Sequence, residues 1–180
     1  MSILKCKNFK YSSESLTVYC NELAEKVVSS LKAKGKSVAC AESCTGGMLA
    51  QFITAVSGAS EVFQFGAVTY SERIKSQVLG IPPQLIEECG VVSPQVALSM
   101  AYGSKLYAGA DIGVGITGIA GPSGGTDEMP VGTVWVSVAS SDNDITENLK
   151  LYELGKFTRE ETRLIACAFA LEGILDISER

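Results

Sequence analysis

The sequence predicts a single α/β domain whose central β-sheet is covered by helices. Short apolar runs of strand length alternate along the chain with stretches whose apolar residues recur at helical spacing. The connections between them are short, without internal repeat, low-complexity tract or interdomain linker, which makes one sheet with helices packed on it the economical architecture. The chain has 180 residues, 46% of them apolar, enough for one sizeable core that removes about 70% of the unfolded surface from water.

Residues 1–13 read as a polar lead-in and 14–180 as the domain. Leu16, Tyr19, Leu23, Val27 and Leu31 then mark an amphipathic helix over roughly 14–34, stopped by Gly35. SVACA (37–41) is a strand, Glu-Ser-Cys-Thr-Gly-Gly a tight turn, and MLAQFITAV a helix. VFQFGAVTY (62–70) is a second strand, with SERIKSQVLG opening a helix directly after it. IPPQLIEECG is a short Pro-started helix closed by Gly90. Pro94 starts the next helix, whose stripe is Val96, Met100, Leu106 and Tyr107, ending at Gly109. DIGVGITG (111–118) has the character of a buried strand, and GIAGPSGGTDEMPVG is a long loop. VGTVWVSVA and ITENLKLYEL are two further strands, and a helix over about 158–176 ends the pattern.

The most restrictive entry in the composition is the absence of histidine. It excludes Ser-His-Asp and Cys-His machinery, His-containing metal sites and any imidazole base, so catalysis must rest on another base. The formal net charge is −5; residues 1–36 carry seven lysines and three glutamates, leaving net −9 for the rest. A nucleic-acid partner is not expected of such a body, and the N-terminal lysines read as a solvated face. The six cysteines, at 6, 20, 40, 44, 89 and 167, form no CxxC pair. They read as buried thiols of a reducing compartment rather than as a metal or disulfide framework. No signal-peptide core and no 18-residue apolar run is present. The expectation is a cytoplasmic protein with no membrane partner, and the apolar fraction with short, sparsely charged helices predicts a homo-oligomer.

Three motifs fall at strand carboxyl ends, where α/β sheets collect ligands. In Ala41-Glu42-Ser43-Cys44-Thr45-Gly46-Gly47, a serine on a strand-to-helix turn projects its hydroxyl above the sheet. The amides that follow, with the helix N-terminus, offer an anion or oxyanion site. On pattern alone Ser43 reads more readily as a helix cap or turn serine than as a nucleophile, and Cys44, a rival nucleophile, more readily as a packing residue. In Tyr70-Ser71-Glu72-Arg73-Ile74-Lys75, a strand-end tyrosine is followed by a lysine in the first helical turns. Both have bland surface readings, yet a desolvated lysine is the known substitute base where histidine is missing. Its pKa must fall from about 10.4 toward 7, by burial and by a cationic neighbour among Arg73, Arg159 and Arg163. Gly113-Val-Gly-Ile-Thr-Gly118 matches GxGxxG, but a Gly/Pro-rich loop follows where a dinucleotide site needs a helix, and no Walker lysine is present. That loop, with Thr117, Ser123 and Thr126, suits a phosphate or sugar, or is plain turn architecture.

Together AESCTGG, AVTYSERIK and VGITGIAGPSGGTDEMPVGTVW resemble, in order over about residues 20–176, the C-terminal domain family of the bacterial competence-damage-inducible protein CinA. The resemblance implies an α/β fold and hydrolysis of the carboxamide of nicotinamide mononucleotide to nicotinate mononucleotide and ammonia, a salvage step of pyridine nucleotides. It implies Ser43 as nucleophile and Lys75, thirty-two positions later, as base, with Tyr70 supporting the pair and Thr117 as an active-site threonine. The N-terminal domain of longer relatives has no room here, which favours a stand-alone enzyme. The chain departs from the family pattern at Glu72, where asparagine is usual, and at Phe157-Thr158-Arg159, where glycine-aspartate-arginine is usual.

The expectation is therefore a Ser-Lys amidase with no metal and no cofactor, acting on a small-molecule nucleotide. Ser43, Lys75 and Tyr70 are the candidate catalytic residues; Thr45, Gly46, Gly47, Thr117, Gly118, Gly121 and Arg159 are the candidate substrate contacts. The alternatives are a non-catalytic nucleotide-binding or competence-associated module, and an amidase for another small amide.

Overall fold

The computed structural model describes residues 11–180. Most of the predicted lead-in, residues 1–10, lies outside the described residues. The first helix, α1 (Ser13–Lys34), starts in a reciprocal capping box between Ser12 and Ser15 and stops at Gly35, whose φ of 60° is the left-handed stop expected of glycine. Its buried stripe contains Leu16, Leu23, Val27 and Leu31, while Tyr19 is half-buried.

Five strands form one sheet: β1 (Val38–Glu42), β2 (Phe63–Val68), β3 (Ile112–Gly118), β4 (Val134–Ala139) and β5 (Asp144–Asn148). Their order is β2-β1-β3-β4-β5, with β2, β1 and β3 parallel and β4 and β5 antiparallel to their neighbours. Between β1 and β2 lie α2 (Met48–Thr54) and a 3-10 turn at Ala59–Glu61 that the apolar pattern does not reveal. Between β2 and β3 come α3 (Glu72–Leu79), α4 (Pro83–Cys89) and α5 (Pro94–Ala108); after β5 come α6 (Leu151–Leu154) and α7 (Arg159–Glu179).

Helices α1, α2 and α7 cover one face of the sheet in a large apolar core, and α3, α4 and α5 cover the other around Leu79, Ile81, Ile86, Val96 and Met100. The chain leaves β1 toward one edge through α2 and returns across it to β3, so the strand order reverses at β1. The carboxyl ends of β1, β2 and β3 therefore meet at a topological switch point.

Three local readings differ from the sequence pattern. The strand predicted over 131–139 begins only at Val134, because Pro130 accepts from both the amide and the hydroxyl of Thr133 in a turn that Gly132 completes at φ 93°. The strand predicted over 145–154 ends at Asn148. There the Asn148 side chain takes the Lys150 amide, Lys150 adopts a left-handed φ of 45°, and the helical turn α6 follows. On α5 the buried face runs through Val96, Ala97, Met100, Ala101, Gly103 and Ser104; Leu106 and Tyr107 from the predicted stripe are exposed at 76% and 65%.

The glycines of the GxGxxG match have a packing cause. A Cβ on Gly113 would strike the carbonyl of Ala101, and one on Gly115 the carbonyl of Ala97, so α5 lies directly on the backbone of β3. Gly115→Ala should therefore destabilise the fold by roughly 1–3 kcal/mol, the usual range for overpacking. The midpoint of urea unfolding checks it; an unchanged midpoint would mean that α5 does not need the bare backbone.

Candidate active site

The turn after β1 continues the sheet for one more residue, since the Ser43 amide donates to Ile116 and the Thr69 amide to Glu42. The backbone then turns through Gly46 (φ 61°) and Gly47 (φ 91°), a conformation open to glycine and strained for other residues. Glu42, 1% exposed, folds its carboxylate back under the turn and accepts from the amides of Gly47, Leu49 and Ala50. It thus occupies the N-terminus of α2, where a negative charge is favoured. That corrects one expectation: the helix start is taken by the protein's own carboxylate and is not open to a ligand.

Lys75 is brought to Ser43 by the way β2 hands over to α3. Ser71 caps α3 by accepting from the Ile74 amide, which fixes where the helix begins and turns position 75 inward. The Lys75 side chain is fully buried, with Nζ 3.1 Å from Ser43 Oγ and 2.8 Å from the Thr69 carbonyl. Burial disfavours the ammonium and holds Lys75 below the ordinary lysine value, against the opposing pull of Cys44 and Glu72. The arginines expected as cationic neighbours are engaged elsewhere. Arg73 pairs with Gln77, Arg163 holds the Thr45 carbonyl, and Arg159 donates to the Gly121 carbonyl at 2.7 Å and the Tyr70 hydroxyl at 3.4 Å. Desolvation alone is what lowers the lysine.

Ser43 opens onto a cleft of about 250 Å³ lined also by Cys44, Tyr70, Val91, Thr117, Gly121 and Arg159. Its outer wall is the loop 119–133, held at its base by Ile119 and Gly132 amides that donate to the carbonyls of Thr133 and Ile119. Of the predicted substrate contacts, Thr117, Gly118, Gly121 and Arg159 line this cleft; Thr45, Gly46 and Gly47 do not. Thr45 is buried in the turn, and Thr117 spends its hydroxyl proton on the Val91 carbonyl. Tyr70 is 63% exposed and its hydroxyl meets Arg159, with no hydrogen bond to Ser43 or Lys75. Val91 and Val92, from the connection into α5, complete the lining. No motif marks them; only the fold brings that connection over the end of β3.

The rival nucleophile Cys44 is 6% exposed and its thiol is pushed up to about 11, burial outweighing the pull of Arg159 and Arg163. It is a neutral thiol near pH 7. Among the described residues no group of three or more Cys, Asp or Glu side chains is placed to hold a metal ion, and no helix is long and apolar enough to cross a membrane.

This geometry coincides with a family match: the CinA C-terminal domain profile covers residues 20–177. The chain belongs to the CinA C-terminal domain family. It is 44% identical over 155 residues to a protein of Enterobacter agglomerans named nicotinamide-nucleotide amidohydrolase PncC, an alignment that covers 86% of this chain and 93% of that protein. It is 55% identical over 119 residues to a CinA-like protein of Anaeromyxobacter dehalogenans, of whose length the match spans 29%. Among solved structures, the competence/damage-inducible protein CihA of Agrobacterium tumefaciens superposes with a TM-score of 0.84 at 36% identity, covering 90% of this chain and 96% of that one. A CinA superfamily protein of Escherichia coli gives 0.81 at 32% identity, with 88% and 90% covered.

The lowered lysine makes stability depend on pH. Because Lys75 releases its proton more readily folded than unfolded, the unfolded chain binds more protons between the depressed value and the ordinary 10.5. Stability from this group therefore rises with pH through that window and is at its least below it. Compared with Lys75→Met, the wild-type chain should gain relative stability as pH climbs toward 10.5. Parallel urea titrations at several pH values check this; curves that stay a constant distance apart would show an unshifted lysine.

Proposed function

We propose that this chain is a nicotinamide-nucleotide amidohydrolase that releases ammonia from nicotinamide mononucleotide, with Ser43 as nucleophile and Lys75 as base. The observation that carries the proposal is the 3.1 Å contact between a buried lysine amine and a serine hydroxyl at the floor of a cleft. The name of the Enterobacter relative, aligned over 93% of its length, supports the substrate.

A neutral amine has two N–H groups and one lone pair. One N–H of Lys75 is given to the Thr69 carbonyl, which leaves the lone pair to accept the Ser43 proton. Ser43 Oγ then bonds to the carboxamide carbon while the carbonyl electrons move to oxygen, forming a tetrahedral oxyanion. The Gly46 amide is committed to the Ser43 carbonyl and the Gly47 amide to Glu42, so the amides of Cys44 and Thr45 are the donors left in the turn. Collapse breaks the carbon–nitrogen bond, and the lysine proton leaves with the nitrogen as ammonia. Water repeats the cycle on the acyl ester: Lys75 takes its proton, the hydroxyl oxygen bonds to carbon, and Ser43 Oγ regains the proton as nicotinate mononucleotide departs.

Arg159, exposed at the far side of the cleft, is the cation for the substrate phosphate, with Tyr70 and the Gly121 carbonyl fixing its guanidinium. The reaction belongs between a step that releases nicotinamide mononucleotide and one that consumes nicotinate mononucleotide, in pyridine nucleotide salvage.

Purified protein should release ammonia from nicotinamide mononucleotide, and more slowly from the riboside, which lacks the phosphate. Ser43→Ala should reduce turnover to background and Lys75→Met by roughly 10²–10⁴-fold, the range for a lost general base. The rate should rise with pH as the Lys75 proton is lost. Ammonia release by a folded Ser43→Ala variant at the wild-type rate would remove the serine from the mechanism.

A further inference from the structure

The nucleophile turn is intrinsically soft, because two consecutive left-handed glycines, Gly46 and Gly47, let its peptides rotate at little cost. It is nevertheless held from two sides. Beneath it, Glu42 fixes the amide of Gly47. From α7, Arg163 donates to the Thr45 carbonyl twice, from Nε at 3.2 Å and from Nη2 at 2.6 Å. Arg163 lies one helical turn beyond Arg159 on α7, whose start is fixed by the capping box of Thr158 and Glu161. The Met48 amide also donates to the Thr45 carbonyl, and the Ser43 carbonyl accepts from Gly46. Both carbonyls that flank the Cys44–Thr45 peptide are thus committed within the protein, while the amides of Cys44 and Thr45 donate to no backbone carbonyl.

We infer that Arg163 is a positioning residue for the oxyanion donors, holding the Thr45 carbonyl and with it the conformation of the turn that carries the uncommitted Cys44 and Thr45 amides. The inference rests on the serine-nucleophile reading but not on the identity of the substrate. Donors set before reaction are worth far more than donors that must reorganise, since a misdirected peptide presents its carbonyl where charge develops. The guanidinium also sets a positive charge against the turn, opposite the Glu42 carboxylate beneath it. Arg159 faces the cleft and is engaged by Tyr70 and Gly121, so the two arginines divide the work: Arg159 for the ligand, Arg163 for the backbone.

The test is the rate at which a small fluorophosphonate modifies Ser43, read by mass spectrometry, in wild-type chain, Arg163→Lys and Arg163→Met. In that reaction the Ser43 oxygen bonds to phosphorus, fluoride leaves, the serine proton goes to Lys75, and the phosphoryl oxygen takes the oxyanion position. Arg163→Met should be modified roughly 10²-fold more slowly, the scale of a lost oxyanion donor. Arg163→Lys, which keeps the charge and a single donor, should lie between. With nicotinamide mononucleotide, the loss should fall on kcat, with KM within about twofold, as expected for an interaction felt in the transition state. Added guanidinium should restore part of the rate to Arg163→Ala, which a merely misfolded variant would not allow. Equal modification rates in all variants, a loss confined to KM, or no modification of Ser43 in wild-type chain would overturn the inference. Modification of Ser43 that depends on Arg163, without ammonia release from nicotinamide mononucleotide, would leave it standing and overturn the proposed substrate.

Discussion

The arrangement depends on one demanding contact, a lysine amine buried without a carboxylate partner. Ion pairs among the described residues are surface pairs, such as Lys32 with Glu61, and none involves Lys75. An ammonium so placed loses its hydration and gains only a hydroxyl and a carbonyl, so burial disfavours the charged form relative to water. Keeping the amine there requires rigid surroundings. β2 ends at Val68, Thr69 turns its carbonyl to Nζ, Ser71 starts the helix, and Leu79 further along α3 anchors in the second apolar cluster. Each step is ordinary; together they keep the amine out of water beside Ser43.

Charge is apportioned around that contact. The buried Glu42 carboxylate accepts from three amides and so is stabilised by hydrogen bonds rather than by the lysine. Removing it would leave those amides without a partner at about 1–3 kcal/mol each. The nearby cations come from α7, where Arg159 holds the Gly121 carbonyl and Arg163 the Thr45 carbonyl, and neither is bonded to Lys75. A cation beside Lys75 would lower it further. The fold instead uses depth alone, which leaves both arginines free for other contacts.

The architecture was legible because its signals are local. Strand–turn–helix punctuation around Gly46-Gly47, the helix opening directly after the strand that ends at Tyr70, and the Pro94 start can be read along the chain and appear where the pattern places them. The Ser43 and Lys75 spacing was legible through family resemblance, whereas their approach depends on β1 and β2 being paired in register, Glu42 opposite Val68. What could not be read rests on side chains reaching across the fold. Glu42 looks like any strand-end glutamate until α2 folds back over it, and Arg163 like a helix arginine until α7 meets the turn. The failure at Leu106 and Tyr107 is of the same kind: close approach by α5 is dictated by the bare glycines of β3, and this sets the helix face by backbone contact rather than by apolar side chains.

Burial also favours serine over its cysteine neighbour for the nucleophile role proposed above. Desolvation penalises whichever form is charged, so burial lowers the lysine and raises the thiol to about 11. A Cys44 thiolate would need the ammonium form of Lys75 beside it, and both are the disfavoured forms there. The proposed Ser43 pathway would begin from a neutral hydroxyl and a neutral amine and would create charge only as the transition state forms, where the turn amides would meet it. In a chain without histidine, the depth that would suit lysine to the proposed base role thus also disfavours the thiolate and favours the hydroxyl as its partner.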